Sequence, residues 1–166
     1  SDLITALVNT RKFDVVERDR MQEIMQEKDF ISMTQNEAIK LGNLLGADYF
    51  VMGQIELVEA GVSKKRIPYT ESYKVDTSGR MVVNVRIVDT RGGKIVAAQK
   101  INQSHGHSGA GSTLAFLETL KEMTVKRIVN SVVDGVFPVK VMKVTGNEIY
   151  LNRGTGAPFS KGSVLV

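Results

Sequence analysis

Cysteine and tryptophan are both missing from the 166 residues, and only two residues are histidine. Without cysteine there is no disulfide framework, no thiolate metal site and no cysteine nucleophile. With two histidines and no Gly-x-Ser-x-Gly motif, the chain has little material for a nucleophilic triad. No apolar run approaches the roughly 20 residues of a membrane-spanning helix, and the first residues lack the pattern of a signal peptide.

Both ends of the sequence have the pattern of cuts in a longer protein. The chain opens directly on a helix pattern and closes on Val164, Leu165 and Val166, which resemble the interior of a strand. We therefore expect the protein to continue beyond this sequence at both ends. A signal peptide or a lipid anchor would lie outside it as well.

The composition is sufficient for one ordinary domain with an aliphatic core. Hydrophobic residues make up 42% of the chain and aromatic residues only 6%, so valine, isoleucine, leucine and methionine should fill the interior. The formal net charge is +4, with 22 basic residues interleaved with 18 acidic ones. Interleaved charges favour a solvated surface over a nucleic-acid footprint. Nucleic acid is therefore not an expected partner.

The first part of the chain predicts helices, one of which has clear capping signals at both ends. A short helix is indicated by an apolar face of Leu3, Ile4, Leu7 and Val8. Residues 13–16 predict a short strand, and residues 21–28 a second amphipathic helix. A third helix begins at a capping box of Thr34 and Glu37 and ends at Gly46, in the position of a C′ glycine. Its predicted apolar face consists of Ala38, Leu41, Leu44 and Leu45.

The middle of the chain predicts a sheet. Residues 49–58 form an apolar run that we expect to be the central strand, with Gly53 as a bulge or a point of close backbone approach. Residues 60–79 turn polar and predict a long connecting loop. Residues 81–87 alternate as a half-buried strand, and residues 95–101 return after a Gly-Gly turn as its antiparallel partner. Residues 102–112 predict a Gly/Ser/His loop.

The last third predicts one long helix and then a hairpin. Ser112 and Thr113 can cap the helix, whose apolar face is the set Leu114, Leu117, Leu120, Val125, Ile128, Val129, Val132, Val133 and Val136. A hairpin with a Thr-Gly-Asn turn follows. The predicted fold class is α+β, an α/β sandwich in which helices pack on a mixed or antiparallel central sheet over residues 1–136. Residues 137–166 would form a separate small β module, a hairpin or barrel-like unit.

No catalytic constellation stands out. His105 and His107 could ligate a metal, but no third ligand is fixed near them, so a polar loop is the favoured interpretation. Gly106, Gly109 and Gly111 do not match a phosphate-binding spacing. The neighbouring carboxylates in residues 17–20 are more typical of caps and surface ion pairs than of an acid/base couple. We therefore expect no enzyme activity, no cofactor and no metal.

The polar segment of residues 60–79 holds the candidate binding residues. They are Lys64, Lys65, Arg66, Tyr69 and Tyr73. The basic side chains of such a set can bind phosphates and its tyrosines can stack on bases, or the set can contact an acidic protein surface. Three basic residues carry little sequence specificity, so a protein contact or a solvated loop is favoured over nucleic acid.

Three stretches together resemble the CsgG family, named for the curli production assembly/transport component. They are Phe13-Asp14-Val15-Val16-Glu17-Arg18, then Gly46-Ala47-Asp48-Tyr49-Phe50-Val51-Met52-Gly53, and then Val85-Arg86-Ile87-Val88-Asp89-Thr90 with Gly93-Lys94-Ile95. Their order and spacing carry the resemblance, and that family is related in fold to the periplasmic penicillin-binding-protein activator LpoB and to the N-terminal domain of TolB. Residues 139–166 resemble the small β domain at the end of the flagellar assembly protein FlgT.

The resemblance implies an envelope protein, usually a lipoprotein at the periplasmic face of the outer membrane, that acts by binding and assembly. It also implies that a first strand of the domain, preceding Ser1, lies outside this sequence. Its expected partners are other envelope proteins and copies of itself, with residues 60–79 and the sheet edge as contact regions. Membrane contact would come only through an anchor outside this chain. The curli channel inserts long amphipathic membrane hairpins at the positions of residues 60–79 and 102–112, where this sequence predicts charged or polar loops.

That departure leads us to expect a scaffold for envelope or surface-appendage assembly and not a secretion pore. Two alternatives from the resemblance stay open. One is an oligomeric curli-type secretion channel subunit, and the other is a FlgT-like protein of flagellar assembly.

Overall fold

The computed structural model describes residues 2–16, 33–109 and 112–152. Their helices are α1 (Asp2–Asn9), α2 (Gln35–Leu45) and α3 (Thr113–Val136). Their strands are β1 (Tyr49–Arg66), β2 (Tyr73–Asp89), β3 (Lys94–Ser108), β4 (Val141–Thr145) and β5 (Glu148–Leu151). Among the described residues, no helix is both long enough and apolar enough to span a membrane.

Three strands form an antiparallel sheet in the order β1-β2-β3, with helices on both faces. One face packs against α3 and α1, and its buried cluster includes Val85, Ile87 and Ile101 from the sheet and Val132 from α3. The other face packs against α2 in a smaller cluster that contains Ala38, Leu41, Phe50 and Val88. The predicted α+β class, with helices packed on an antiparallel sheet, is confirmed.

The caps at the two ends of α2 are as the sequence predicts. The Glu37 carboxylate accepts from the Thr34 amide at 2.7 Å, and the Glu37 amide donates to the Thr34 hydroxyl at 3.4 Å, which completes the capping box. Gly46 ends α2 in the left-handed region, with φ of +68°, where glycine has no Cβ penalty. Ser112 lies at the N-cap of α3, but its hydroxyl makes no capping hydrogen bond.

The prediction that residues 49–58 form the central strand is wrong. Among the described strands, β1 lies at the edge of the sheet and β2 lies at its centre. The predicted role of Gly53 is wrong as well, since the register shift lies between Ile55 and Leu57 and a Cβ at Gly53 would meet no atom within 4 Å. A run of apolar residues shows that a strand is partly buried, but it does not show on how many sides the strand is paired.

The predicted loop at residues 60–79 is instead part of a long β-hairpin. The ladder between β1 and β2 continues from Ala60 opposite Gly79 to Arg66 opposite Tyr73. The predicted loop at residues 102–112 is also mostly strand, because β3 runs to Ser108. Pairing in a ladder satisfies the backbone hydrogen bonds whatever the side chains are. A strand can therefore be polar, and the polar composition led to a loop being predicted in both places.

Residues 13–16 form no strand, contrary to the sequence prediction. Phe13 and Val15 pack against the main core cluster instead, and the Phe13 and Phe137 rings lie 5.6 Å apart between centroids. A strand requires a paired neighbour, and no described strand pairs with this segment. Two predicted core leucines, Leu44 and Leu114, are exposed.

Some sequence predictions lie outside the described residues. They are the helix of residues 21–28, the carboxylates of residues 17–20, Gly111, and the chain beyond residue 152. Within the described part, β4 and β5 form their own two-stranded sheet, with Gly146 at φ of +57° in the turn, which agrees with the predicted hairpin. The division into domains at residues 136 and 137 stays a prediction.

Candidate functional site

The hairpin of β1 and β2 ends in an ordered turn. The Ile67 amide donates to the Ser72 carbonyl at 3.0 Å, and the Thr70 amide donates to the Ile67 carbonyl at 3.3 Å. The Arg66 guanidinium reaches across to the Thr70 carbonyl at 3.3 Å. Tyr69 takes a positive φ of +63° at this turn, which is uncommon for a residue with a side chain. The hydrogen bonds around the turn hold that conformation.

The structure brings all five predicted binding residues to this one end of the hairpin. We call the set Lys64, Lys65, Arg66, Tyr69 and Tyr73 the hairpin tip. Every member is exposed, and the Tyr69 side chain is fully so. The five residues thus lie together on a paired hairpin and not on a loop, and their role in binding stays a prediction.

Strand alternation divides the hairpin tip between two faces. Arg66 lies opposite Tyr73, and Lys64 lies opposite Val75, so these side chains share the face on which α3 packs further along the sheet. Lys65 lies opposite Lys74 on the other face. That second face also carries ion pairs across the strands, among them Arg80 with Glu59 at 3.4 Å. The hairpin is therefore amphipathic, with ionic contacts on one face and apolar, aromatic and basic side chains on the other.

The positive charge of the hairpin tip is only partly offset by the described residues, since Lys65 interacts electrostatically with Asp76 without an ion-pair contact. Among them, no carboxylate forms an ion pair with Lys64, Lys65 or Arg66, whereas Lys74 pairs with Asp76 at 3.4 Å. The side chains of Lys64, Lys65 and Arg66 are exposed to water. Exposed charges of this kind mainly affect the rate and specificity with which an oppositely charged partner binds.

Asp76 connects the hairpin to the neighbouring strand β3. The Ser108 hydroxyl donates to the Asp76 carboxylate at 2.7 Å. This hydrogen bond, together with the positive charges of Lys74 and Lys65, holds the pKa of the Asp76 carboxyl below its usual value. A hydrogen bond to the charged form of a carboxyl favours that form.

Acidification should weaken this connection. Because the pKa of Asp76 is lower in the folded chain than in the unfolded chain, its contribution to stability is present above the unfolded pKa and is lost as the pH falls through the folded pKa. We expect Ser108→Ala to raise the pKa of Asp76 toward the usual aspartate value of about 4. An NMR titration of the Asp76 carboxyl carbon measures this, with Ser104→Ala as the control. An unchanged pKa in Ser108→Ala would contradict the assignment.

The two histidines lie on β3 and face α3. His105 stacks on the Phe116 ring, with centroids 5.2 Å apart and planes 20° from parallel. His107 lies opposite Thr77 on the same sheet face. In residues 2–16, 33–109 and 112–152, no three side chains of His, Cys, Asp or Glu lie together as a metal site would require. The stacking of His105 on Phe116 is a packing contact that the sequence pattern did not predict.

A groove of about 700 Å³ lies between α1 and α3. The Lys121 ammonium bridges two carboxylates there, Asp2 at 2.8 Å and Glu118 at 2.6 Å. Hydrogen bonds to Asp2 and to Glu118 raise the pKa of Lys121 and keep it charged. Asp2, Glu118 and Lys121 in this groove are thus paired with one another. We take the hairpin tip, where exposed cations and tyrosines stand together, as the stronger candidate for a binding site.

Comparisons with known proteins give one family. A family model described as the curli production assembly/transport component CsgG matches residues 1–135. Among solved structures, the lipoprotein GNA1162 from Neisseria meningitidis is similar at 23% sequence identity and a TM-score of 0.37. The match covers 70% of this chain and 71% of that one. A comparison with curated proteins found no match.

Proposed function

This chain belongs to the CsgG family, and we propose that it is a non-enzymatic scaffold that binds an acidic surface of another envelope protein through the hairpin tip. Membership of a family of curli assembly and transport components indicates an envelope-associated protein. The finer parts belong to our proposal: a periplasmic location at the outer membrane, a lipid anchor outside this chain, and a role in envelope or surface-appendage assembly.

The observation that supports binding is the composition of the hairpin tip on a paired backbone. Tyrosine and arginine are the residue types that contribute most to binding energy at protein interfaces. Here they stand exposed beside two lysines that have no ion pair among the described residues. The ladder and turn hydrogen bonds fix the backbone in advance, so less ordering entropy is lost when a partner binds.

A second candidate function is the curli-type channel subunit. The finding in its favour is that residues 60–79 are paired strands, because the sequence-based case against a channel had assumed a loop there. Counted from and including the Ala60–Gly79 pair, each arm is seven residues long and carries lysine or arginine, whereas a spanning strand needs about 9–11 residues with an apolar outward face. We therefore place the scaffold first. A ring-sized particle in detergent-free light scattering would reverse that order.

The scaffold proposal predicts loss of partner capture when the tip is altered. We expect Lys64→Glu/Lys65→Glu to reduce the capture of an envelope protein by about tenfold or more, because its glutamates would repel an acidic surface. Tyr69→Ser/Tyr73→Ser should also reduce capture, through loss of the aromatic contacts. The measurement is quantitative pull-down from envelope extracts, followed by binding of the captured protein at low and high salt.

The matched control is Lys40→Glu/Lys94→Glu, which makes the same charge change at exposed positions on α2 and at the start of β3. It should retain capture. Equal capture by the wild type and both tip variants would remove the hairpin tip from the proposed function. Equal loss in the control would mean that net charge, and not the tip, controls binding.

A further inference from the structure

The groove between α1 and α3 has paired charges at one end only. The two helices run in the same direction, because Asp2 pairs with Lys121 whereas the Phe13 and Phe137 rings lie together beyond the last residues of both helices. The ion pairs of Lys121 with Asp2 and Glu118 therefore lie at the end where α1 begins. The remainder of the groove is where a ligand would find unpaired groups.

Two further charged side chains line the groove, and neither has an ion pair. Glu122 and Lys126 stand on α3 at the i, i+4 spacing in which a glutamate and a lysine commonly pair. In the structure both are exposed, and they form no ion pair with each other or with another described residue. The groove thus presents one carboxylate and one ammonium group that are both available to a ligand.

Apolar side chains and amide groups line the rest of the groove. Ala6 and Val125 are half-buried and Val129 is buried. The Asn9 and Asn130 amides are exposed and make no hydrogen bond with a described residue. Apolar contacts with a few polar groups are typical of small-molecule sites, and the volume of about 700 Å³ lies within their usual range of about 300–1,000 Å³.

The two unpaired charges limit the class of ligand. A phosphate-bearing ligand would bring negative charge toward Glu122, and a metal cation would bring positive charge toward Lys126. A neutral ligand would leave both groups without a partner. A ligand with one ammonium and one carboxylate group pairs with both, so that its charges complement those of the groove.

The spacing of the two charges sets the length of the ligand. Residues four apart on a helix are offset by about 6 Å along its axis, and two extended peptide residues span about 7 Å. A dipeptide can therefore place its ammonium group beside Glu122 and its carboxylate beside Lys126. A free amino acid carries both groups on one carbon and is shorter than this spacing.

From these contacts we propose that the groove between α1 and α3 binds a zwitterionic dipeptide, with its ammonium group on Glu122 and its carboxylate on Lys126. Apolar side chains of the peptide pack on Ala6, Val125 and Val129, and its peptide group meets the neighbouring side-chain amides. This inference does not rest on the proposed function, because the groove shares no residue with the hairpin tip.

Titration of the full chain with alanyl-leucine, followed by amide NMR spectra, tests the site. We expect saturable shifts of the Ala6, Val125 and Val129 signals at about 1 mM peptide, since so small a ligand makes few contacts. N-acetyl-alanyl-leucine and alanyl-leucine amide each lack one charge and should bind about threefold more weakly or worse. Free leucine should also bind more weakly. The absence of saturable shifts, or equal binding of the blocked peptides or of leucine, would overturn the proposal.

Charge reversal tests the two contacts separately from the ligand series. Glu122→Lys should lose binding, because the peptide ammonium group would have no carboxylate partner. Adding Lys126→Glu should restore binding, because the peptide can then lie in the opposite direction. The control Glu71→Lys makes the same charge change at an exposed position in the turn between β1 and β2 and should bind like the wild type. No restoration in the double variant, or equal loss in the control, would contradict the assigned contacts.

A hairpin-tip variant distinguishes this site from the proposed protein-binding site. Lys64→Glu/Lys65→Glu should bind alanyl-leucine like the wild type, although the proposed function predicts that it loses partner capture. Glu122→Lys should show the opposite pattern. Loss of peptide binding in the tip variant would place the peptide at the tip and overturn this inference.

Discussion

Replacing Ile87 with alanine should lower the free energy of unfolding by about 2–5 kcal/mol, the range for removing a buried isoleucine. Ile87 is 0% exposed and lies in the core cluster that joins β2 to α3. Its side chain also reaches the backbone of α3, since a Cβ at Gly135 would lie 2.9 Å from Ile87 Cδ1. Alanine would leave a cavity between the sheet and α3. Urea denaturation followed by circular dichroism measures the loss.

Ile55→Ala is the matched control for Ile87→Ala. Both isoleucines lie in the same sheet and face the α3 side, but Ile55 is largely exposed. Its replacement should change the unfolding free energy by less than about 0.5 kcal/mol, as is usual for surface substitutions. Similar losses in the two variants would mean that α3 does not cover the sheet as described here.

Gly79→Ala should cost about 1–3 kcal/mol, the usual penalty for overpacking. A Cβ at this position would lie 2.7 Å from the Glu59 carbonyl oxygen and 2.8 Å from Phe116 Cε1. The carbonyl belongs to the β1 ladder and cannot move without disturbing the pairing. The Phe116 ring, which also stacks on His105, would have to shift as well. Thermal and urea unfolding measure the change, and NMR shifts of the His105 ring report the displacement.

Gly61→Ala separates this contact from a general effect of glycine replacement. Gly61 lies on the same hairpin, opposite Ser78, and a Cβ there would meet no atom within 4 Å. Alanine should leave stability unchanged or raise it by about 0.4–1 kcal/mol, because it reduces the entropy of the unfolded chain. If Gly79→Ala were as stable as Gly61→Ala, the close packing at Gly79 would be wrong.

Signals that depend on a few neighbouring residues could be predicted from the sequence. The capping box at Thr34 and the C′ glycine at Gly46 act through hydrogen bonds and φ angles within one helix turn, so their spacing is sufficient. The turn at Gly93 and the hairpin around Gly146 are equally local. The CsgG resemblance was confirmed over residues 1–135.

The long hairpin was missed because its side chains are polar although its backbone is paired. Apolar residues do alternate with polar ones in both arms of the hairpin, as in a strand. They are Val58, Ala60 and Val62 in one arm and Tyr73 and Val75 in the other. Clustered lysines and Pro68 outweighed it in the sequence-based interpretation. The position of β1 within the sheet could not be predicted either, because pairing depends on distant strands and not on the residues of β1 itself.

The five candidate binding residues were expected on a loop and lie on a paired hairpin, while their role in binding stays a prediction. All five tip residues are exposed at one end of the hairpin, and the ladder and not a loop carries them. The contact between His105 and Phe116 joins residues of β3 and α3, and no local spacing marks it. Phe116 is buried where the sequence pattern had favoured Leu114, because the first turn of α3 meets the sheet at Gly79.

The continuation of the ladder past Gly79 determines how far the hairpin tip lies from the helices. From Gly79, where Phe116 makes contact, six residues of β2 lead to Tyr73, which is about 20 Å at the usual rise of a strand. Under the proposed function, a partner bound at the hairpin tip would lie about 20 Å from the helices, so its shape would not need to match theirs. The residues of the turn could then change without disturbing the core, and proteins with the same core could bind different partners.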